Sequence, residues 1–254
     1  MERKSIYVAF SNQKGGVGKS AFTTLVASHL HYADNKNVVV FDCDYPQYSI
    51  HAMRERDKNL VMTNDHFKVM LSGWGEQTGK KAYSVLSVKP ENAIDFASQQ
   101  LGAREKPVDV AFFDLSGTVS SSGILNSMLN LDYIFCPVTT DRLVMQSSLT
   151  FALTMKDCLI KHPNFPLKGV FLFWNQLVKN ENREIYDAYN AIIGQLNLNI
   201  LKTEIPFTIK YKREMSQNSK QVFRSTLFPA NKNLMKGTNL DSLVEEMCQI
   251  INLK

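Results

Sequence analysis

Short runs of apolar and β-branched residues recur along the chain and alternate with stretches of helical periodicity. The runs are Ile6 to Phe10, Val38 to Phe41, Tyr83 to Val88, Val108 to Phe113, Tyr133 to Val138 and Val170 to Trp174. Neither face of such a run is polar, so each predicts a strand covered on both sides in a parallel sheet. Between them, periodic stretches predict helices at Ser20 to Ala33, Glu91 to Leu101, Ser122 to Leu129, Met145 to Lys161 and Asn182 to Leu196. The plan is α/β: a doubly wound, mostly parallel sheet with helices on both faces, which binds ligands at the carboxyl ends of its strands.

Two stretches interrupt the rhythm. Thr63 to Lys81, with Gly73, Gly75 and Gly79 around Trp74, predicts a long mobile loop after a charged helix near Arg54 to Lys58, and Pro229 to Thr238 predicts another loop. The end, Leu240 to Ile251, places Leu240, Leu243, Val244, Met247, Ile250 and Ile251 at helical spacing opposite Asp241, Glu245 and Glu246. An acidic polar face argues against a membrane-surface helix and for packing on the body of the protein. No repeat, low-complexity tract or linker divides residues 1–254, so a single domain is expected.

Composition narrows the classes. The chain has 254 residues, 44% of them hydrophobic, enough for a large buried sheet. Cys43, Cys136, Cys158 and Cys248 are far apart and form no Cys-x-x-Cys pair, which points to reduced thiols and a cytoplasmic setting and to neither a disulfide framework nor a zinc or iron–sulfur site. No stretch reaches a membrane span, and the apolar run after Arg3 and Lys4 is too short for a signal-peptide core. The formal net charge is +5, yet Lys202 to Lys236 holds eight basic residues against Glu204 and Glu214. An uneven basic charge of this kind suits an anionic partner or a solvated face.

The chemistry begins at Lys14-Gly15-Gly16-Val17-Gly18-Lys19-Ser20, directly after the first strand. Glycines at 15, 16 and 18 permit a backbone whose N–H groups, from Gly15 through Ala21, converge on phosphate oxygens, and the following helix adds its positive end. Lys19 would reach the β and γ phosphates and Ser20 would ligate Mg²⁺, as in the Gly-x-x-x-x-Gly-Lys-Ser/Thr loop, here without its first glycine. Asp42 and Asp44, two apart at the end of the second strand, point to one side of the extended chain and could approach the nucleotide, one near Mg²⁺ and one positioning water. Asp114 ends an apolar strand, where nucleotide hydrolases hold the Mg²⁺ shell. A strand-end turn is the plainer use of each aspartate taken alone. The third glycine of a dinucleotide fingerprint, a Gly-x-Ser-x-Gly elbow and a His-Glu-x-x-His motif are absent, and the five histidines suit core or helix-surface positions.

With Asn12 through Ser20, Asp42-Cys43-Asp44-Tyr45-Pro46-Gln47, Asp114, Cys136-Pro137-Val138 and Glu204-Ile205-Pro206 in this order, the chain resembles the deviant Walker P-loop ATPases of the ParA/MinD family, and ParA-like members in particular. Within these, Tyr45 and the Asp114-Leu115-Ser116-Gly117-Thr118 segment are similar to members from conjugative elements, such as the TraA-type proteins of Bacteroides elements. The resemblance implies an ATPase that uses ATP and Mg²⁺, hydrolyses slowly under stimulation by a ParB-like or other protein partner, and forms an ATP-dependent homodimer.

The resemblance implies roles for individual residues. Lys14 matches the signature lysine that crosses to the other subunit's phosphates, Lys19 acts within its own subunit, and Asp44 supports attack by water. Ser20, Asp42 (the first switch carboxylate) and Asp114 serve Mg²⁺, and Asn175 with Pro206 and Phe207 frames adenine. Lys210, Lys212, Arg213, Lys220 and Arg224 fall where ParA-like proteins make non-specific DNA contacts, which would put the protein on the nucleoid. The implied task is partitioning or positioning a plasmid, chromosome or conjugative element. Two departures stand out: Tyr45 adds a residue before Pro46 in the Asp-x-Asp-Pro-Gln pattern, and Ser116 replaces a frequent proline. Two alternatives stay open at this point: a nucleotide-switched protein-positioning or conjugation-regulatory module that does not bind DNA, and a metabolic ligase or synthetase of the same loop family.

Overall fold

The computed structural model describes residues 5–115, 122–179, 183–218 and 221–254. Strands β1 (Ile6–Phe10), β2 (Val38–Cys43), β3 (Ser84–Ser87), β4 (Val110–Leu115), β5 (Tyr133–Val138), β6 (Gly169–Trp174) and β7 (Asn199–Ile200) form one sheet in the order β3-β2-β4-β1-β5-β6-β7. Every pairing is parallel. The six apolar runs all become strands, with ends moved by a residue or two. Edge strand β7 is too short, at two residues, to leave a period in the sequence.

The helices are α1 (Lys19–Ser28), α2 (Ser49–Thr63), α3 (Asp65–Thr78), α4 (Ala93–Gly102), α5 (Ser122–Leu129), α6 (Arg142–Lys161), α7 (Arg183–Gln195), α8 (Lys232–Met235) and α9 (Leu240–Ile250). Alternation along the strands feeds two cores. Val8, Phe10, Val40 and Phe112 enter one, closed by α1 and α9; Ala9, Val39, Phe41 and Phe113 enter the other, closed by α4, α5, α6 and α7. Leu240, Leu243, Val244 and Met247 of α9 are buried in the first core, so the C-terminal helix packs on the sheet. Among the described residues no helix is long and apolar enough to cross a membrane.

Both loop expectations meet helix. Most of Thr63 to Lys81, read as a mobile loop, is helix α3. Asn64 caps it, accepting from the His66 N–H at 3.1 Å, and Gly79 ends it in the left-handed region with φ 64°. Each glycine inside a helix costs roughly 0.5–1 kcal/mol against alanine. Burial outweighs that cost: Phe67 packs with Met215, Val222, Leu227 and Phe228, and the Trp74 indole meets the Tyr32 ring edge-on at 4.7 Å while donating to its carbonyl at 3.2 Å. Those partners are distant in sequence. The loop expected at Pro229 to Thr238 likewise contains the single turn of α8, capped by the Asn231 side chain.

Open space surrounds the position where a Gly73 side chain would stand. Gly73→Ala is therefore expected to stabilise the protein by about 0.5–1 kcal/mol in urea unfolding, through helix propensity and lower unfolded-state entropy. No gain, or a loss, would count against a formed helix here.

Candidate active site

The site starts where the chain leaves β1. Asn12 is fully buried, and its Nδ2 donates to the Pro137 carbonyl and the Ser148 hydroxyl, each at 2.7 Å. Its Oδ1 accepts the Lys14 N–H at 3.0 Å, so the loop is pinned to β5 and α6 as it opens. Gly16 at φ 78° and Gly18 at φ 92° supply the left-handed backbone that turns the loop. A Cβ on Gly18 would lie 3.2 Å from the Phe22 ring and 3.7 Å from the Asn175 amide. At the far end, Asn175 Nδ2 donates to the Val17 carbonyl at 2.9 Å. Helix α1 then begins with no capping side chain and no acidic residue in its first turn, leaving its N–H groups and positive end to an anion.

Carboxylates face this positive end. Asp114 is 1% exposed, and its oxygens make no well-formed hydrogen bond, with the Ser20 hydroxyl close enough to favour the carboxylate. Burial raises its pKa from the usual 3.8 to about 7, Asp42 and Asp44 push the same way, and the Ser20 hydroxyl and Lys19 oppose them. Lys19 is half-buried, with Nζ donating to the Lys14 carbonyl at 3.0 Å; desolvation lowers its pKa, while Asp114 and Asp44 raise it. Burial pushes the neighbouring Cys136 thiol up to about 12, so it stays protonated at neutral pH.

Asp42 and Asp44 part company. Asp44 lines the phosphate-side cavity. Asp42 is fully buried, its Oδ2 accepting the His51 N–H at the start of α2 at 2.8 Å and its Oδ1 that of Asp44 at 3.4 Å. Desolvation raises its pKa against these backbone bonds. The backbone thus engages the Asp42 carboxylate at a helix N-terminus, beside Asp114 in strand register, instead of leaving it turned to the cavity. Tyr45, the added residue, stands 52% exposed, and Gln47 still reaches the cavity beside Asp44.

Among the described residues no group of three or more His, Cys, Asp or Glu forms a metal cluster. The donors do fit a hard dication held jointly with phosphate: the Ser20 hydroxyl and the two oxygens of Asp114, neither in a well-formed hydrogen bond.

A cavity of about 460 Å³ lies against Gly15, Gly16, Lys19, Ser20 and Ala21. Beside it, one of about 160 Å³ is walled by Phe22, Asn175, Pro206, Phe207 and Tyr211. The structure thus brings together the glycine loop, Lys19, Ser20, Asp44 and Asn175 with Pro206. Val17 is buried, its carbonyl held by Asn175, and Lys14 is exposed. Of the basic residues in the C-terminal third, Lys212 and Arg213 are exposed, while Lys210 donates to the Lys236 carbonyl at 2.7 Å. Lys220 lies outside the described residues, as does Ser116. Arg224 does not join that surface: it turns inward, pairs with Glu214 and lines both cavities. Sequence reasoning missed Phe22, Tyr211, Arg56 and Glu214, because an aromatic on an amphipathic helix or a charge in a basic run carries no mark of a site until packing sets it there.

Asp114 holds a proton in the folded protein between about pH 3.8 and about 7, where the unfolded chain has lost it, so stability falls as pH rises through that window. Asp114→Asn removes the titration. In metal-free buffer it is expected to raise the melting temperature by several degrees near pH 8 and by much less near pH 4.5. An effect independent of pH would contradict the burial of this carboxylate.

The chain matches the CobQ/CobB/MinD/ParA nucleotide binding domain over residues 8–222. Among curated proteins no sequence match was found. Solved structures share the fold. A plasmid partition protein from Borrelia burgdorferi B31, bound to AMPPNP, is 17% identical with a TM-score of 0.60, the alignment covering 98% of this chain and all of that one. A single-residue variant of McdA from Cyanothece, in complex with ATP, is 12% identical with a TM-score of 0.61, over 100% and 98% of the two chains. Cobyrinic acid a,c-diamide synthase from Mycobacterium smegmatis, with ADP and magnesium, is 19% identical with a TM-score of 0.55, over 80% and 87%. With a pinned glycine loop at the end of β1, and the family's domain matched across most of its length, the chain belongs to the CobQ/CobB/MinD/ParA nucleotide-binding family.

Proposed function

We propose that residues 1–254 are a single ParA-like ATPase domain that binds ATP with Mg²⁺, closes into a homodimer around it, holds DNA without sequence preference and lets go after slow, partner-stimulated hydrolysis. The observation that carries the dimer is Lys14. Its backbone carbonyl holds Lys19 and its N–H goes to Asn12, yet among the described residues its exposed ammonium has no partner. A lysine anchored by its backbone at the phosphate site, with its charge facing outward, suits a second copy's phosphates. Complexes of a plasmid partition protein with AMPPNP and of McdA with ATP, both with this fold, support the nucleotide assignment.

In this reading Lys19 neutralises phosphate charge within the chain, and Asp44 orients water at the cavity mouth. Ser20 and Asp114 hold Mg²⁺, which supplies charge stabilisation at the transferring phosphoryl group. Asn175, Pro206 and Phe207 border the base. Lys212 and Arg213, with Lys210 and Lys220, supply the DNA contacts, and a ParB-like or other partner acts from outside. Partitioning or positioning of a genetic element in the cytoplasm follows as the task.

A second reading has one observation in its favour: a further cavity of about 260 Å³, bordered by Thr140, Leu177, Arg183, Tyr186, Glu204 and Pro206, could hold a co-substrate, and a cobyrinic acid a,c-diamide synthase shares the fold. ATP turnover that depends on an added small molecule would support it over the first.

Lys14→Ala is expected to abolish ATP-dependent dimerisation in sedimentation while leaving nucleotide affinity within about threefold, equivalent to roughly 0.7 kcal/mol. Dimers of this variant that form as readily as wild type would refute the role in trans. Asp44→Ala is expected to trap the ATP dimer with turnover lowered at least tenfold. DNA retention by wild type should need ATP and fall steeply with salt as counterions are released, and Lys212→Glu with Arg213→Glu should remove it without dissociating the dimer. Retention unchanged by those substitutions would favour a protein-positioning module that does not bind DNA.

A further inference from the structure

Arg224 borders three adjoining spaces: the base-side cavity, the phosphate-side cavity, and a third of about 570 Å³ that runs from Ser20 and Asp44 to Arg56 on α2. One carboxylate serves two cations there. Glu214 Oε1 accepts from Arg224 and Oε2 from Arg56. Arg56 also bonds Asp57 at 2.9 Å. The other Asp57 oxygen is already taken by the Ser225 hydroxyl at 2.9 Å, the Thr226 N–H at 2.7 Å and the Thr226 hydroxyl at 3.0 Å. The Nε atoms of both arginines are buried with no partner. Burial and then the neighbouring Arg56 disfavour charge on Arg224, while Asp57 favours it, so the guanidinium is only partly compensated where it borders the cavities.

The backbone ties this pair to the basic segment. Arg224 N–H donates to the Arg213 carbonyl at 2.9 Å, and Glu214 pairs with Arg224 in a parallel bridge. Lys212 and Arg213, both exposed, lead directly into that clasp.

We propose that Arg224 reads the nucleotide: its guanidinium exchanges Glu214 for the phosphates of the bound triphosphate, Glu214 stays with Arg56, and the clasp beside Lys212 and Arg213 responds to what the phosphate site holds. The assignment rests on the ATPase reading and extends it to how the site senses its own occupant. A guanidinium suits the task because its planar fork pairs with carboxylate or phosphate through two parallel bonds, and phosphate offers more charge. Glu214 is not left bare when Arg224 departs, since Arg56 neutralises it.

The test measures affinities of fluorescent ATP and ADP analogues with Mg²⁺ for the full chain. Arg224→Gln is expected to weaken the triphosphate at least tenfold and the diphosphate less than threefold, and Arg224→Lys to recover part of the loss. Glu214→Gln, which releases Arg224 from its competitor, is expected to tighten the triphosphate, and it carries the test alone if Arg224→Gln does not fold. In hydrogen exchange, amides 213–215 are expected to change with ATP in wild type and not in Arg224→Gln. Equal losses for the two nucleotides, or unchanged affinities in Arg224→Gln and Glu214→Gln, would overturn the assignment while leaving the ATPase reading intact. A wild-type chain that binds neither analogue would overturn both.

Discussion

Two buried asparagine amides hold open a loop that would otherwise collapse on itself. Asn12 ties the start of the glycine loop to β5 and α6, and Asn175 ties its end to the tip of β6. A backbone cradle for phosphate must keep its N–H groups unsatisfied and aimed inward, a state the loop cannot maintain by its own hydrogen bonds. Fastening its outward-facing atoms to neighbouring strands supplies the shape. The parallel sheet is what brings β5 and β6 within reach, because β1 lies at its centre with β4 on one side and β5 on the other.

Charge around that cradle is left incompletely balanced. Asp114 is buried without a well-formed hydrogen bond and keeps its proton up to about neutral pH, while Lys19 bonds back onto its own loop. Each group is poised for a partner of opposite sign. Phosphate with a dication would satisfy both at once.

The side of the site away from the sheet is built by the chain's last third. Arg54 of α2 donates to the Thr226 carbonyl and hydroxyl and to the Tyr83 carbonyl, and Asp57 accepts from Ser225 and Thr226. Helix α2 follows directly from the Asp42 to Gln47 turn, so the turn that borders the phosphate-side cavity and the segment that carries Lys212 and Arg213 share one clamp.

The sequence by itself determined the sheet, the glycine loop and the acidic strand ends. Apolar runs at Val8, Val40 and Phe112 have no other place than a sheet covered on both faces, and Gly16 and Gly18 carry backbone angles that other residues resist. These are local constraints, and a local window contains them. Only the tertiary structure decided that Gly73 and Gly75 sit in a helix, that Asp42 caps α2 where Asp44 lines the cavity, and that Arg224 turns inward to Glu214 and the phosphate site. Asp42 meets the His51 N–H nine residues on and Arg224 meets Glu214 ten residues back, but Phe67 finds Phe228 and Arg56 finds Glu214 across most of the chain. Burial by such partners outweighs propensity and charge pattern, and no window of the sequence contains both halves of the contact.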